Sequence, residues 1–205
     1  MIKHLSLKAY GKINLGLDVL RRREDGYHDV RMIMQTVGIF DRVDLIWKEE
    51  PGIQVETNLY YLPTNENNLV YKAAKLLMDE FDIHQGVDMN LTKFIPVAAG
   101  MAGGSSDAAA ALVGINRMFQ LGLTKRQLME RGVQIGADVP YCVMRGTALA
   151  EGIGEKLTSL PGVPMCYVLI GKPGINVSTK FVYGNLHLDE VTEHPDIDGM
   201  VEAIR

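Results

Sequence analysis

The chain has 205 residues, 47% hydrophobic and 22% charged, with a formal net charge of −4. This is globular composition, enough for one large domain or one domain and part of another. The acidic balance leaves no electrostatic footprint for nucleic acid, and no stretch approaches the roughly 18 apolar residues of a membrane span.

In chain order, residues 5–20 (LSLKAYGKINLGLDVL) alternate around a Gly-Lys interruption, which predicts two short strands or one strand with a bulge. Arg21-Arg22-Arg23 is followed at once by Glu24 and Asp25 and reads as a solvated turn, with an Asp-Gly loop signal next to it. RMIMQTVGIF, DRVDLIW and GIQVET read as strands, and YLPTNENN as a loop. Leu69 to Phe81 has helical spacing, with Leu69, Ala73, Leu76 and Leu77 on one face. VDMNLTKFIP alternates as a strand that ends before Pro96. A glycine-rich turn then runs into an alanine-rich helix. LTKRQLMERG predicts a short helix with Thr124 as N-cap and Gly132 as stop. TALAEGIGE reads as a strand entering a glycine turn, MCYVLIGKPG as a buried strand ending in a turn, and VSTKFVYGNL as a helix starting at Ser178 or Thr179. The last residues, DIDGMVEAIR, read as helix. There is no internal repeat, low-complexity tract or long linker. Strands dominate the first half with helices interspersed, so the fold class is α+β. Cys142 and Cys166 each sit in an apolar run, which predicts buried free thiols. That fits a reducing cytoplasm, as does the lack of an N-terminal apolar core of signal-peptide length.

The stretch that carries chemistry is PVAAGMAGGSSDAAAA, Pro96 to Ala111. Glycines allow positive φ and close approach to a ligand. The first turn of a helix leaves N–H groups free, and its dipole favours negative charge. Strand, glycine turn and helix start together make an anion site, with phosphate the usual occupant. Ser105 and Ser106 add hydroxyl donors or a magnesium ligand, and the alanines let the helix lie close to a sheet. The alternative is a turn whose serine merely caps the helix. Concentration of glycines and hydroxyls at one helix start favours phosphate. The stretch has no Gly-Lys-Ser/Thr ending and no G-x-G-x-x-G spacing, so it matches neither of those two phosphate loops.

These residues resemble the signature loop of the GHMP kinases, the superfamily that includes galactokinase, homoserine kinase and mevalonate kinase. KAYGKINLGLDVLRRREDGYHDVRMIMQTV, with Lys-x-Asn-Leu and then Asp-Gly-Tyr-His, is similar to the branch acting on 4-diphosphocytidyl-2-C-methyl-D-erythritol in the non-mevalonate isoprenoid pathway. GADVPY and KPGINVSTKFVY resemble further blocks of the same branch, in the same order. The resemblance implies transfer of the γ-phosphoryl of ATP to the 2-hydroxyl of that substrate. Magnesium is the expected cation, ATP and the small molecule the expected partners, and a monomer or homodimer the expected state.

Carried over residue by residue, the resemblance implies that Pro96, Val97, Ala98, Ala99, Gly100, Met101, Ala102, Gly103, Gly104, Ser105 and Ser106 hold the ATP phosphates. Ser106 would also reach magnesium. Asp138 would accept the acceptor hydroxyl's proton, and Lys12 would keep Asp138 ionised and offset charge on the phosphoryl group. Asn14, Tyr27 and His28 match contacts to the cytidine diphosphate portion, with Phe181 or Tyr183 closing the other side of the base and Tyr183 preferred. Asn68 and Lys93 match positions near the nucleotide. Taken singly, each has a plainer reading. Asp138 reads as a turn or cap residue, Lys12 as a solvated charge and His28 as a loop residue. Phe181 and Tyr183 read as helix core, Asn68 as an N-cap and Lys93 as a strand-end charge.

The loop departs from the branch's usual Gly-Leu-Gly-Gly-Gly-Ser-Ser. Met101 for leucine conserves volume, and Ala102 for glycine is harmless unless that position needs positive φ. The branch also carries a later block resembling Gly-Ser-Gly-Pro-Thr, which this chain lacks. The resemblance thus implies residues 1–162 as the N-terminal ATP- and substrate-binding domain, with an unusual left-handed βαβ crossover. Residues 163–205 would be the incomplete opening of a second α+β domain with part of its apolar surface uncovered. Catalysis by this length of chain alone is not expected.

Overall fold

The computed structural model describes residues 2–174 and 178–205. Ile175, Asn176 and Val177 of the KPGINV block lie outside the described residues. The fold is mixed α+β and divides into two compact units that share two long strands, β1 (His4–Arg22) and β2 (His28–Lys48). The sequence allows two short strands or one bulged strand around Gly11-Lys12 for β1, and two strands divided before Asp41 for β2. Both run unbroken, because cross-strand hydrogen bonds override a local glycine penalty of under about 1 kcal/mol at Gly11 and carry the ladder past Asp41.

Unit 1 comprises Met1–Gly11, Gly38–Pro96 and Ala102–Met144. Here β4 (Gly86–Thr92) lies between β2, which it pairs antiparallel, and β3 (Ile53–Thr57), which it pairs parallel. The parallel pair is joined through helix α1 (Leu69–Glu80), forming a βαβ unit. Helices α2 (Gly103–Met118), α3 (Lys125–Gly132) and α4 (Val139–Met144) complete the unit, with α1 against α2, α2 against α4 and α3 against α4. Local signals explain these starts. Asn68 caps α1, its side chain accepting the Val70 N–H, and Thr124 and Gln127 form a capping box on α3. Helix α4, over VPYCVM, had been expected only as the block around Asp138.

The core of unit 1 holds Val43, Leu45, Val55, Val70, Leu77, Val87 and Met89, all buried, with the α2 face Ala108–Leu112, Ile115 and Met118. Alanine on that face lets α2 pack close. A Cβ on Gly114 would meet Leu45 Cδ2 at 2.7 Å and Leu7 Cδ1 at 3.0 Å, so any larger residue there must push these leucine ends aside.

Unit 2 comprises Lys12–Val37, Val97–Met101 and Arg145–Arg205. Strand β5 (Thr147–Gly152) lies antiparallel between β2 and β6 (Lys156–Leu160), a strand not anticipated from sequence. A short helix, α5 (Thr179–Gly184), begins after Ser178, whose side chain caps it. The last helix, α6 (Ile197–Ile204), packs Ile197 and Val201 onto Ile33, Leu149 and Leu160. Arg31 fastens it through two bonds to Asp198, at 2.7 and 2.5 Å.

Two expectations fail here. MCYVLIGKPG forms no strand, and Met165, Tyr167 and Leu169 stand fully exposed. An apolar run becomes a strand only with a neighbouring ladder and a covering face, and the described residues supply neither. Cys142 is buried as expected, but Cys166, in that same run, is exposed. No helix among the described residues is long and apolar enough to cross a membrane.

Candidate active site

The glycine loop leaves β4, passes Lys93 to Ala102 and enters α2 at Gly103. Every second residue across its turn is left-handed: Ala98 at φ 54°, Gly100 at φ 70° and Ala102 at φ 54°. Left-handed residues alternating with right-handed ones are the backbone pattern of anion-binding nests, in which successive N–H groups turn toward one side. Ala102 is the N-cap of α2, and its side chain gives the helix no cap bond. The condition under which alanine would be harmless there is therefore not met. A residue with a Cβ carries strain of about 1–2 kcal/mol in this region. The helix start itself leaves N–H groups free of intrahelical partners, beside the exposed Gly104 and half-buried Ser105.

Ser106 has a structural task. It is buried, and its hydroxyl donates to the Tyr10 carbonyl oxygen at 2.6 Å, tying the first turn of α2 to β1. Of the serine pair, Ser105 keeps accessible surface. No group of three or more His, Cys, Asp or Glu able to hold a metal occurs among the described residues.

Lys12 is not a solvated surface charge. It is 6% exposed, and its ammonium donates to Asn14 Oδ1 at 3.2 Å. Its backbone N–H donates to the Met101 carbonyl oxygen at 3.1 Å, which joins β1 to the glycine loop. Asp138, in unit 1, is half-buried at the turn into α4, and its carbonyl oxygen accepts the Cys142 N–H at 3.0 Å.

In unit 2 the His28 and Tyr183 rings lie 5.0 Å apart, tilted by 36°. Tyr27 and Phe181 are exposed beyond them in the chain. The Tyr27 N–H is held by Asp25 Oδ1 at 3.0 Å. Of the two aromatics weighed for the base, the structure brings Tyr183, and not Phe181, to His28.

Lys93 and Asn68 turn inward. Asn68 is buried, its side-chain oxygen accepting the Val70 N–H as the cap and its amide N–H donating to the Pro63 carbonyl at 2.7 Å, which ties the preceding loop to the helix start. Lys93 is buried with its ammonium on Asp41 and on Asp107 Oδ2, the latter at 2.6 Å. The strand-end lysine is therefore a member of a buried ion cluster and not a solvated charge.

Comparison with known proteins decides the family. The GHMP kinases N-terminal domain model matches residues 68–146, from the α1 cap past the glycine loop and Asp138. The chain is 61% identical over 204 residues to the 4-diphosphocytidyl-2-C-methyl-D-erythritol kinase of Lachnospira eligens, covering 100% of this chain and 71% of that one. It belongs to the 4-diphosphocytidyl-2-C-methyl-D-erythritol kinase family. The enzyme of the same name from Lachnoclostridium phytofermentans is 62% identical over 200 residues, 98% of this chain and 69% of that one. A crystal structure of 4-(cytidine 5'-diphospho)-2C-methyl-D-erythritol kinase superposes with a TM-score of 0.79 at 30% identity, covering 98% of this chain and 71% of that one. Homoserine kinase from Cytophaga hutchinsonii, at TM-score 0.66 and 18% identity over 92% of this chain and 63% of that one, shares the fold.

In this member of the 4-diphosphocytidyl-2-C-methyl-D-erythritol kinase family, sequence reasoning missed Asp41 and Asp107. Asp41 is fully buried and accepts the N–H groups of Phe94 at 2.5 Å and Ile95 at 2.8 Å besides the Lys93 ammonium. Asp107 has Lys93 on one oxygen, and its Oδ1 has no hydrogen-bond partner. Burial pushes the Asp107 carboxyl up to about 8; Lys93 pulls it down and the Asp41 charge adds to the rise. One signal was available. Asp107 begins the alanine run and shares its buried face, where a charge needs a partner.

Proposed function

We propose that this chain carries the nucleotide- and acceptor-binding residues of an ATP-dependent kinase that phosphorylates the 2-hydroxyl of 4-diphosphocytidyl-2-C-methyl-D-erythritol, a step of the cytoplasmic non-mevalonate isoprenoid pathway. The observation that carries this reading is the alternating left-handed backbone at Ala98, Gly100 and Ala102, leading directly into the 16-residue helix α2. Family membership supports the acceptor.

In this reading the N–H groups of the loop and of the α2 start bind the ATP phosphates. Asp138 orients the acceptor hydroxyl and takes its proton. The hydroxyl oxygen forms a bond to the γ-phosphorus as the bond to the β-phosphate oxygen breaks, and ADP leaves. The Lys12 ammonium offsets negative charge on the phosphoryl oxygens. Lys12 is held for this by Asn14 on its side chain and by Met101 on its backbone. No group of three or more His, Cys, Asp or Glu occurs among the described residues, and Mg²⁺ would be held by a serine hydroxyl together with phosphate oxygens and water, as suits a cation that keeps much of its hydration. Ser105 offers accessible surface for that, while Ser106, the position matched by resemblance, keeps a lone pair after donating to Tyr10. Bound Mg²⁺ would neutralise β- and γ-phosphate charge. The His28–Tyr183 pair, whose rings are already in contact at 5.0 Å, offers the cytosine one outer stacking face and not a slot between the rings, with Tyr27, Asn14 and Phe181 as the other matched positions. Residues 1–162 would form the nucleotide and substrate domain and 163–205 the opening of a second, in a monomer or homodimer.

The test is ATP-dependent phosphorylation of 4-diphosphocytidyl-2-C-methyl-D-erythritol, with homoserine as the competing acceptor. It is run on these 205 residues and on a chain extended to the length of the relatives. Product from the first acceptor alone supports the reading. Nucleotide binding without product from either chain would make this a nucleotide-binding protein on a kinase fold.

A further inference from the structure

The glycine loop has no regular hydrogen-bonded ladder and contains three left-handed residues, so something else must set its shape. Its two stems are Lys93–Ile95 on one side and Gly103–Asp107 on the other. Both belong to unit 1. Three side chains join these stems. Asp41, on β2, accepts the N–H groups of Phe94 and Ile95 in the first stem. The Lys93 ammonium bonds Asp41 and then crosses to Asp107 in the second stem, 14 residues further on. Asn58 clamps the Lys93 backbone from both sides, accepting its N–H at 2.9 Å and donating to its carbonyl at 3.2 Å. Gly103 accommodates this arrangement. A Cβ there would lie 3.1 Å from Lys93 Nζ and 3.2 Å from Ile95 Cγ2.

A buried ion cluster is a poor source of stability, since apolar side chains of similar volume often do as well or better. It is a good source of fixed geometry, because charge-assisted hydrogen bonds are short and directional. The placement of this one, across the two stems of the loop, matches the second use.

We propose that Asp41, Lys93 and Asp107 form a brace that closes the stems of the glycine loop and holds the α2 start in its anion-binding geometry, with Lys93 as a positioning residue and not a nucleotide contact. The inference rests on the phosphate-binding reading of the loop. The brace works from beneath. It reaches neither nucleotide nor acceptor, and it sets how well the loop N–H groups converge.

The variants are Lys93→Met alone and Lys93→Met combined with Asp107→Leu. The single variant leaves two carboxylates facing each other and is expected to lose stability. The double variant removes that conflict while Asp41 keeps its two backbone donors. Three readouts are taken on the double variant: affinity for a fluorescent ADP analogue, affinity for cytidine diphosphate, and amide exchange at residues 103–107. The expected result is an unfolding midpoint near wild type, at least tenfold weaker ADP-analogue binding, unchanged cytidine diphosphate binding and faster exchange at 103–107. Wild-type ADP-analogue affinity in the double variant overturns the proposal, whatever the exchange rates. So does weaker affinity with unchanged exchange, which would make Lys93 a direct nucleotide contact. If the wild-type chain fails to bind the analogue, faster exchange still supports the brace and only the phosphate-binding reading falls. Unchanged exchange in that case overturns both.

Discussion

The backbone N–H of Lys12 donates to the carbonyl oxygen of Met101 across 3.1 Å, so the lysine and the glycine loop are positioned by one another. The Lys12 side chain is then free to be judged by its charge alone. Lys12→Met keeps the backbone bond and the apolar stem and removes only the ammonium. In a chain extended to the length of the relatives, phosphoryl transfer should fall by about two to three orders of magnitude, as when one preorganised charge-stabilising donor is lost. The ADP-analogue affinity should change little. A variant that lost nucleotide affinity and turnover in equal measure would show that the ammonium acts in ground-state binding.

In a chain extended to the length of the relatives, Asp138→Asn should lower kcat by about 10²- to 10⁴-fold, the range for removing a general base, with the unfolding midpoint held. Asp138 sits half-buried at a turn, and asparagine fills the same space. Steady-state rates and thermal unfolding of the variant check it, and an unchanged kcat would assign the proton acceptor elsewhere.

Ala102 occupies φ 54°, ψ 30° and gives α2 no cap bond. Ala102→Gly should therefore stabilise the chain by about 0.5–1 kcal/mol, the relief of left-handed strain less the added freedom of the unfolded glycine. Urea unfolding with an unchanged m-value checks it. A destabilised variant would mean that the alanine methyl group packs usefully.

The Asp107 carboxyl is pushed up to about 8 by burial, against 3.8 for the model compound. Its folded pKa lies above the unfolded one, so the associated stability is full below about pH 4. It falls as pH rises, because the unfolded chain releases a proton that the folded one retains, and the loss is complete above pH 8. Asp107→Asn keeps an oxygen for the Lys93 ammonium and cannot ionise. The stability of wild type relative to this variant should decline steadily between pH 4 and 8. Parallel profiles would show that Asp107 ionises normally in the fold.

Gly114→Ala places a methyl group 2.7 Å from Leu45 Cδ2 and 3.0 Å from Leu7 Cδ1. Helix propensity would favour alanine by about 0.8–1 kcal/mol, but overpacking costs about 1–3 kcal/mol. The net expectation is a less stable protein with unchanged nucleotide affinity. A rise in midpoint would mean that the leucines yield to the extra volume.

What the sequence determined by itself were the features whose causes are local in the chain. The caps at Asn68, Thr124 and Ser178 follow from short side chains bonding backbone two or three residues on. The α2 helix and the glycine turn before it follow from composition over some twenty residues. The family was legible in four blocks of residues. The tertiary structure decided everything that depends on distant partners. It settled β1 as one strand and carried β2 past Asp41, because ladder bonds with distant neighbours set strand length, and it left Met165 to Ile170 without a strand's neighbours. It buried Lys12, turned Asn68 and Lys93 inward, and joined Lys93 to Asp41, 52 residues away. A lysine in a sequence looks the same whether water or carboxylates surround it. Only the fold brings the carboxylates, because the free energy of a charge is set by what packs against it and not by its neighbours along the chain.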